Sequence, residues 1–480
     1  MTRKPLATAA IIAAAFGCSL AQAATTPSIG WSPLWTSAEA GGAAEIVDVD
    51  TLTNTLWVTN PNRLDVLSLT DGALVTSIDL SLFGTINSVS IKNGLAAVAV
   101  AAPTATDVGT VRFFNTSTYA ADGFVTVGAL PDMVTFTPDG SRVLVANEGE
   151  PSGSVDPFGS VSIIDVATRS VSTASLAGVP QVNGVRSATL SDIEPEYIAV
   201  SADSTRAFVT LQEANAVGML DLNSGSFTQV VGLGTKDFSQ TGNAIDINDK
   251  DGVYNPVPVN VRGLYQPDAI AAYSANGQTY FVTANEGDAR ADESDEARAK
   301  DVVSGLPTEY QRITVSTIDT TEGDLVAFGG RSFSIWDENG NQVFDSGNML
   351  EIVANDLGIY DDGRSDNKGV EAEGVSLLEI DGRTIAFIGL ERTTQSAIAM
   401  YDVTDPANAT FIDMIVGATD LSPEGLKAFE MNGSYFLAVS NEVSSTTTLY
   451  ALAPVPEPET WAMLVAGLGL VGAVARRRRT

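Results

Sequence analysis

The chain contains no histidine and only one cysteine among its 480 residues. Without imidazole there is no Ser-His-Asp triad, no histidine base and no ordinary zinc site. The lone thiol, Cys18, lies in an apolar N-terminal run expected to be removed, leaving neither a disulfide nor a thiol nucleophile. Basic residues are scarce too: 26 Lys and Arg stand against 59 Asp and Glu, for a net charge of −33. Such a surface repels phosphate backbones and anionic lipid, so no nucleic-acid partner is expected. No G-x-S-x-G elbow, P-loop or Rossmann glycine pattern occurs, and haem, nucleotide and zinc are not expected. A cation site would have to be built from oxygen ligands, which favours calcium or magnesium.

Both ends have the form of addresses. Arg3-Lys4 precede an Ala/Ile-rich stretch to Leu20 and then Ala21-Gln22-Ala23, a charged, apolar and small-residue succession with Ala21 and Ala23 framing the cleavage site. Residues 1–23 are therefore expected to be a signal peptide; the rival, a lipoprotein signal using Cys18, has the poorly matching Ala15-Phe16-Gly17 upstream. At the other end Pro456-Glu457-Pro458 leads into an apolar segment, Trp461 to Ala475, and the cluster Arg476 to Arg479. The segment is short beside the roughly 20 residues of a permanent span. The arrangement over 454–480 resembles the PEP-CTERM sorting signal of Gram-negative bacteria. That resemblance implies an exosortase-type partner, removal of the tail, and delivery to the cell surface or an extracellular polysaccharide matrix. Membrane contact would then come only through the removable segment. A simple C-terminal membrane anchor is the alternative.

The body between, 24–453, is rich in turn residues, with Gly 43 and Pro 20 in the whole chain. Two stretches share one pattern: Pro131-Asp132 to Asn147-Glu148-Gly149-Glu150, and Pro267-Asp268 to Asn285-Glu286-Gly287-Asp288. Each reads as an acid, a strand, a tight turn, a second strand and another acid. Looser copies start near Glu45, Ile86, Glu194, Glu371 and Glu424, and the plain units have the length of a four-stranded propeller blade. The first shows all its strands, Glu45 to Asp50, Thr55 to Thr59, Arg63 to Leu69 and Ala73 to Leu80, with Thr70-Asp71-Gly72 as the last turn. The last unit lacks an outer strand, and Trp31 to Ser37 is expected to supply it. The fold expected is all-β: a seven-bladed β-propeller closed by an N-terminal strand. Its long insertions, including Gly234 to Arg262, Ala289 to Gly330 and Asn355 to Gly369, project from one face.

On that topology the repeated acids share one rim. Asp132, Glu194, Glu196, Asp268, Glu371, Glu373 and Glu424 stand at the innermost strands, and Glu148, Glu213, Glu286, Glu391 and Glu442 follow the second strands. Crowded carboxylates raise one another's pKa or take up a cation. The competing reading is that the Asn-Glu and Pro-Asp pairs cap strand ends and bond neighbouring backbone N–H groups, locking blade to blade. Asp246, Asp249 and Asp251 form a second candidate loop, though Ile247 and Pro258 break an EF-hand register.

Further runs carry a second resemblance. Gly242-Asn243-Ala244-Ile245-Asp246, Tyr265 to Ile270, Thr283 to Arg290, Gly330 to Trp336, Gly369 to Val375 and Leu421 to Leu426 are similar to the choice-of-anchor I domain, also found in proteins labelled mesenchyme-specific cell surface glycoprotein. The resemblance implies a propeller and no settled activity; some relatives are labelled alkaline phosphatases. Glu371-Ala372-Glu373-Gly374 is similar to a motif of esterase-like phytase propellers, with Val370 and Ala372 standing where proline is expected. Three functions follow as expectations. The first is a surface propeller binding a cation, with Ca2+ as the expected cofactor, or a ligand at its acidic face. The second is a calcium-dependent phosphoesterase, and the third a purely structural matrix protein.

Overall fold

The computed structural model describes residues 28–38, 43–186, 189–290 and 294–455. Ala21, Ala23, Cys18, Pro456, Glu457, Pro458 and the apolar segment 461–475 lie outside the described residues. Among the described residues no helix is long and apolar enough to cross a membrane.

Residues 29–454 form an all-β unit of the β-propeller type, in which six antiparallel sheets have four strands and a seventh has five, its outer strand Gln181–Val182 pairing parallel. We number these sheets in chain order by their innermost strands. They are Val47–Asp50 (sheet 1), Thr85–Lys92 (2), Pro131–Phe136 (3), Pro195–Val200 (4), Ile270–Ala275 (5), Ala372–Ile380 (6) and Pro423–Met431 (7). Sheet 7 takes its outer strand from the far end of the chain, where Ile29–Ala38 pairs antiparallel with Thr446–Pro454. Trp35 of that strand also donates its indole N–H to Leu69 O in sheet 1 at 3.0 Å.

Burial follows position in each sheet. The second strand of sheet 1, Thr55–Asn60, is buried along its whole length, whereas its outermost strand, Leu74–Asp79, is largely exposed. Strands covered on both faces read as apolar runs, as in Leu95–Ala101 with its alternating Ala and Val. The core is divided into layers between consecutive sheets. Trp57, Val66, Val89 and Val98 fill the space between sheets 1 and 2. Phe208, Val217, Phe281 and Trp336 do so between 4 and 5. Val47, Leu56 and Leu67 of sheet 1 pack with Phe429, Ala438 and Leu449 of sheet 7.

The insertions have structure of their own. Thr235–Asp237, Val261–Leu264 and Leu325–Ala327 make a small mixed sheet, and Glu296–Arg298 pairs with Thr314–Ser316. Phe238, Ile245, Val259, Ile313 and Val315 give them a separate apolar core. A helix, Met349–Asp356, inserts Leu350 and Ala354 into the layer between sheets 5 and 6.

Candidate functional site

One backbone device recurs where the inner strands begin. Leu130, Gln266, Glu371 and Ser422 have φ of 45°, 39°, 50° and 57°, and each lies directly before Pro131, Pro267, Ala372 or Pro423. Left-handed backbone costs a residue with a Cβ roughly 1–2 kcal/mol, so its repetition needs local support. That support is a hydrogen bond from the chain leaving the second strand: Glu148 N to Leu130 O at 2.9 Å, Gly287 N to Gln266 O at 3.0 Å, Glu391 N to Glu371 O at 2.9 Å, and Glu442 N to Ser422 O at 2.9 Å. The strand register then slips between Pro131 and Val134, Pro195 and Ile198, Ala372 and Val375, and Pro423 and Leu426. Asp132, Glu196, Glu373 and Glu424 stand in these bulges, which re-aim side chains at a strand end.

The paired Asn-Glu sequences divide their labour. Asn147 Nδ2 donates to Ser162 Oγ at 3.0 Å and Ser160 O at 3.1 Å, while its Oδ1 accepts from Gly128 N at 3.0 Å. Asn285 Nδ2 donates to Ser334 Oγ at 2.9 Å and Ser332 Oγ at 3.1 Å. Asn441 Oδ1 accepts from Ser396 Oγ at 2.7 Å. The strand-locking role expected of the Asn-Glu pairs is thus carried at these ends by their asparagines.

A cavity of about 360 Å³ is lined by residues from the inner-strand ends of all seven sheets. Its carboxylates are Glu45, Asp132, Glu148, Glu150, Asp268 and Glu424, and neither lysine nor arginine stands among its lining residues. Tyr197 also lines it. Burial raises the acids' pKa values, and neighbouring carboxylates add to the effect. Burial, then Glu150, pushes Asp132 up to about 6. Burial, then Glu442 and Asp132, pushes Glu45 up to about 7. Glu148, Asp268 and Glu424 are held well above the ordinary carboxylate range by burial and by neighbouring acids.

Beside the cavity, sheet 4 contributes Glu194, Glu196 and Glu213, all buried. Glu213 is in side-chain hydrogen-bond contact with both others. Burial leads in raising all three, Glu213 to about 7 and Glu194 to about 9, with Glu196 well above its usual value. Sheets 5 and 6 bring together carboxylate oxygens of Asp268, Glu286 and Glu373 within 4.8 Å of one another, and likewise those of Glu286, Glu371 and Glu391. Burial, then Glu286, pushes Glu391 up to about 8. Here the insertion at 355–369 delivers cations: Lys368 Nζ lies 2.8 Å from Glu286 Oε1 and 3.1 Å from Glu371 Oε2, and Arg364 pairs with Glu371. Glu442 stands at the same rim, close enough to Glu45 and Glu424 to raise both.

Asp246, Asp249 and Asp251 each have partners of their own, and all three lie close enough to Asp362 to add to burial in raising its carboxyl. Asp246 accepts from Asn248 N and Asn255 N, and Asp251 from Asn248 Nδ2 and Val253 N. Hydrogen bonding from Arg312 holds Asp249 well below the carboxylate range. Glu45, Glu150, Asp288 and Lys368 join the site without having been candidates. Glu150 and Asp288 were signalled by matching places in the two repeats, whereas Lys368 carries no local signal.

The comparisons with known proteins agree with this architecture. The family model described as the choice-of-anchor I domain matches residues 45–406, and the PEP-CTERM protein-sorting motif matches 454–479. That motif marks proteins for exosortase-directed export and surface sorting in Gram-negative bacteria. No curated protein matches the chain. Among solved structures, Kuenenia stuttgartiensis hydrazine synthase is similar in fold at TM-score 0.54 and 11% identity, over 87% of this chain and 98% of that one. The β-propeller domain of Myceliophteria thermophila Cps50 (Swd1) aligns at TM-score 0.48 and 7% identity, over 90% of this chain and 100% of that one. The chain belongs to the choice-of-anchor I domain family and carries a PEP-CTERM sorting motif.

Proposed function

We propose that this protein is an exported, surface- or matrix-associated seven-bladed propeller whose acidic central cavity binds a hard divalent cation, calcium above all. The observation that carries the reading is the cavity itself, where inner-strand ends of seven sheets meet and six carboxylates face one another with no basic lining residue. Clustered oxygen ligands of this kind suit Ca2+ more than softer metals. Closure of the seven sheets into a ring is supported by the apolar layer between sheets 7 and 1 and by the Ile29–Ala38 strand on the edge of sheet 7. Pairing that edge removes a template for aggregation.

The sorting motif supports a life at the cell surface, with the tail removed by an exosortase-type enzyme and the propeller left on or in a polysaccharide matrix. The mass of the protein recovered from the cell surface tests this, since retention of residues 454–480 would contradict removal.

Calorimetric titration of the metal-stripped protein with Ca2+ tests the cation reading. Heats of binding near neutral pH are expected, and their absence up to millimolar Ca2+ would overturn it. A phosphoesterase reading is favoured by one further observation: Arg392, 42% exposed at its side chain, lies 2.8 Å from Glu391 and offers a phosphate-binding group beside the carboxylates. Calcium-dependent hydrolysis of a phosphomonoester would support it, and hydrolysis equal with and without calcium would remove it.

A further inference from the structure

The acidic face has two unlike halves. On sheets 5 and 6 the closest carboxylate groupings both contain Glu286, and both oxygens of that residue are already engaged. Oε1 accepts from Lys368 Nζ at 2.8 Å and Oε2 from Gln212 Nε2 at 2.9 Å. Lys368 reaches Glu371 as well, and Arg392 holds Glu391. The ammonium therefore sits where a metal ion bridging Glu286 and Glu371 would sit.

The half contributed by sheets 3 and 4 has no such lysine among the described residues, although an orphaned buried oxygen, Glu373 Oε2, occurs on sheet 6 as well. Glu196 and Glu213 are 7% and 6% exposed, and among the described residues no amide, hydroxyl or cationic donor reaches Oε2 of either. Leaving a buried carboxylate oxygen without a donor costs several kcal/mol unless a proton or a cation takes its place. Among the described residues the basic group nearest to a carboxylate of this cluster is Arg290, whose Nη2 is 3.8 Å from Glu194 Oε1 and whose Nη1 pairs with Asp192. Arg186 reaches only the Glu213 backbone oxygen and is otherwise bound by Asp295 and Asp319. Glu148 and Glu150 lie close enough to add negative potential.

We propose that Glu194, Glu196 and Glu213 form a discrete site for a hard divalent cation of the calcium class, and that Lys368 is the built-in counter-cation closing the corresponding position on sheets 5 and 6. This rests on the cation-binding reading above and places a site beside the cavity, since none of the three acids is among its lining residues. A second expectation follows: removing the ammonium should open a second position at Glu286 and Glu371.

Terbium is the probe, because Tyr197 adjoins Glu196 and can sensitise its emission. The purified full chain is titrated with Tb3+, then with competing Ca2+. For Glu196→Gln combined with Glu213→Gln, affinity is expected to fall at least ~10-fold, as loss of metal-supporting groups typically does. Glu286→Gln is expected to leave it within about twofold, since its oxygens are not free to bind metal. Loss in Glu286→Gln with retention in the double variant would overturn the assignment while leaving a cation-binding cavity in place. No calcium-displaceable emission in the unaltered protein, together with no calorimetric heat, would remove both. Should the double variant not fold, Glu196→Gln alone carries the same expectation. Lys368→Met should raise the Ca2+ stoichiometry by one, and an unchanged stoichiometry would contradict the counter-cation role.

Discussion

Asn147 and Glu148 are neighbours in sequence with opposite surroundings: the Asn147 amide is buried in hydrogen bonds to Ser160 and Ser162, while Glu148 lines the central cavity. The chain turns out of the second strand between them, and Glu148 N closes on Leu130 O at 2.9 Å. Architecture and chemistry are thereby assigned to separate residues of one dipeptide.

Asn147→Ala should therefore destabilise the fold by about 2–3 kcal/mol, because several buried partners lose their donor or acceptor at once. Calcium affinity of the folded fraction should be unchanged. Glu148→Gln should do the reverse, leaving stability in chelator equal or higher and weakening binding. Urea unfolding paired with calorimetry separates the two.

The raised pKa values give stability a definite pH dependence. Asp132, Glu45, Glu213, Glu391 and Glu194 titrate near 6, 7, 7, 8 and 9 in the fold, against 3.8 for Asp and 4.5 for Glu ordinarily. The native state thus holds protons that the unfolded chain has released. Stability in chelator is fully present below about pH 4 and is lost as pH rises through roughly 6 to 9. Calcium should restore it most strongly at the alkaline end, where protons no longer compete. Thermal unfolding from pH 4 to 9, with and without Ca2+, checks both halves.

Lys368→Met leaves Glu286 and Glu371 without their ammonium. Removing one member of such a buried network typically costs about 3–5 kcal/mol. The loss should be largest in chelator and should shrink as Ca2+ is added, whereas a purely structural lysine would give a loss indifferent to calcium. Denaturant midpoints in the two conditions decide.

The proposed closure of the ring makes its own prediction. Deleting residues 29–38 exposes the edge of Thr446–Pro454 and removes the Trp35 bond to Leu69 O. The shortened protein should melt at lower temperature and self-associate through the bare edge. Size-exclusion chromatography should show larger species, and a monomer of unchanged melting temperature would contradict closure by this strand.

Much of the frame was legible in the sequence because strand alternation and turn chemistry act locally. Thr70-Asp71-Gly72 announced the turn that leads into Leu74–Asp79, and the strand Arg63–Ser68 fell within the run Arg63 to Leu69 expected for it. The Pro-Asp and Pro-Glu pairs pointed to the inner-strand starts, since proline is tolerated where a strand begins. What was not legible depends on distant parts of the chain. The left-handed backbone at Gln266 and Glu371 has no glycine to signal it and is held by a bond from the next strand's end. Lys368 meets Glu286 across 82 residues through an insertion without a repeat pattern. The division between Asn and Glu emerges only when the serines of the third strand are in place.

An anomalous difference map from crystals of the protein soaked in CaCl2 shows most directly whether the acidic cavity and its rim hold a hard divalent cation. A peak is expected with several carboxylate oxygens at about 2.3–2.6 Å, among them those of Glu196 and Glu213. A well-ordered map with those carboxylates in place and no calcium peak at the face would contradict it.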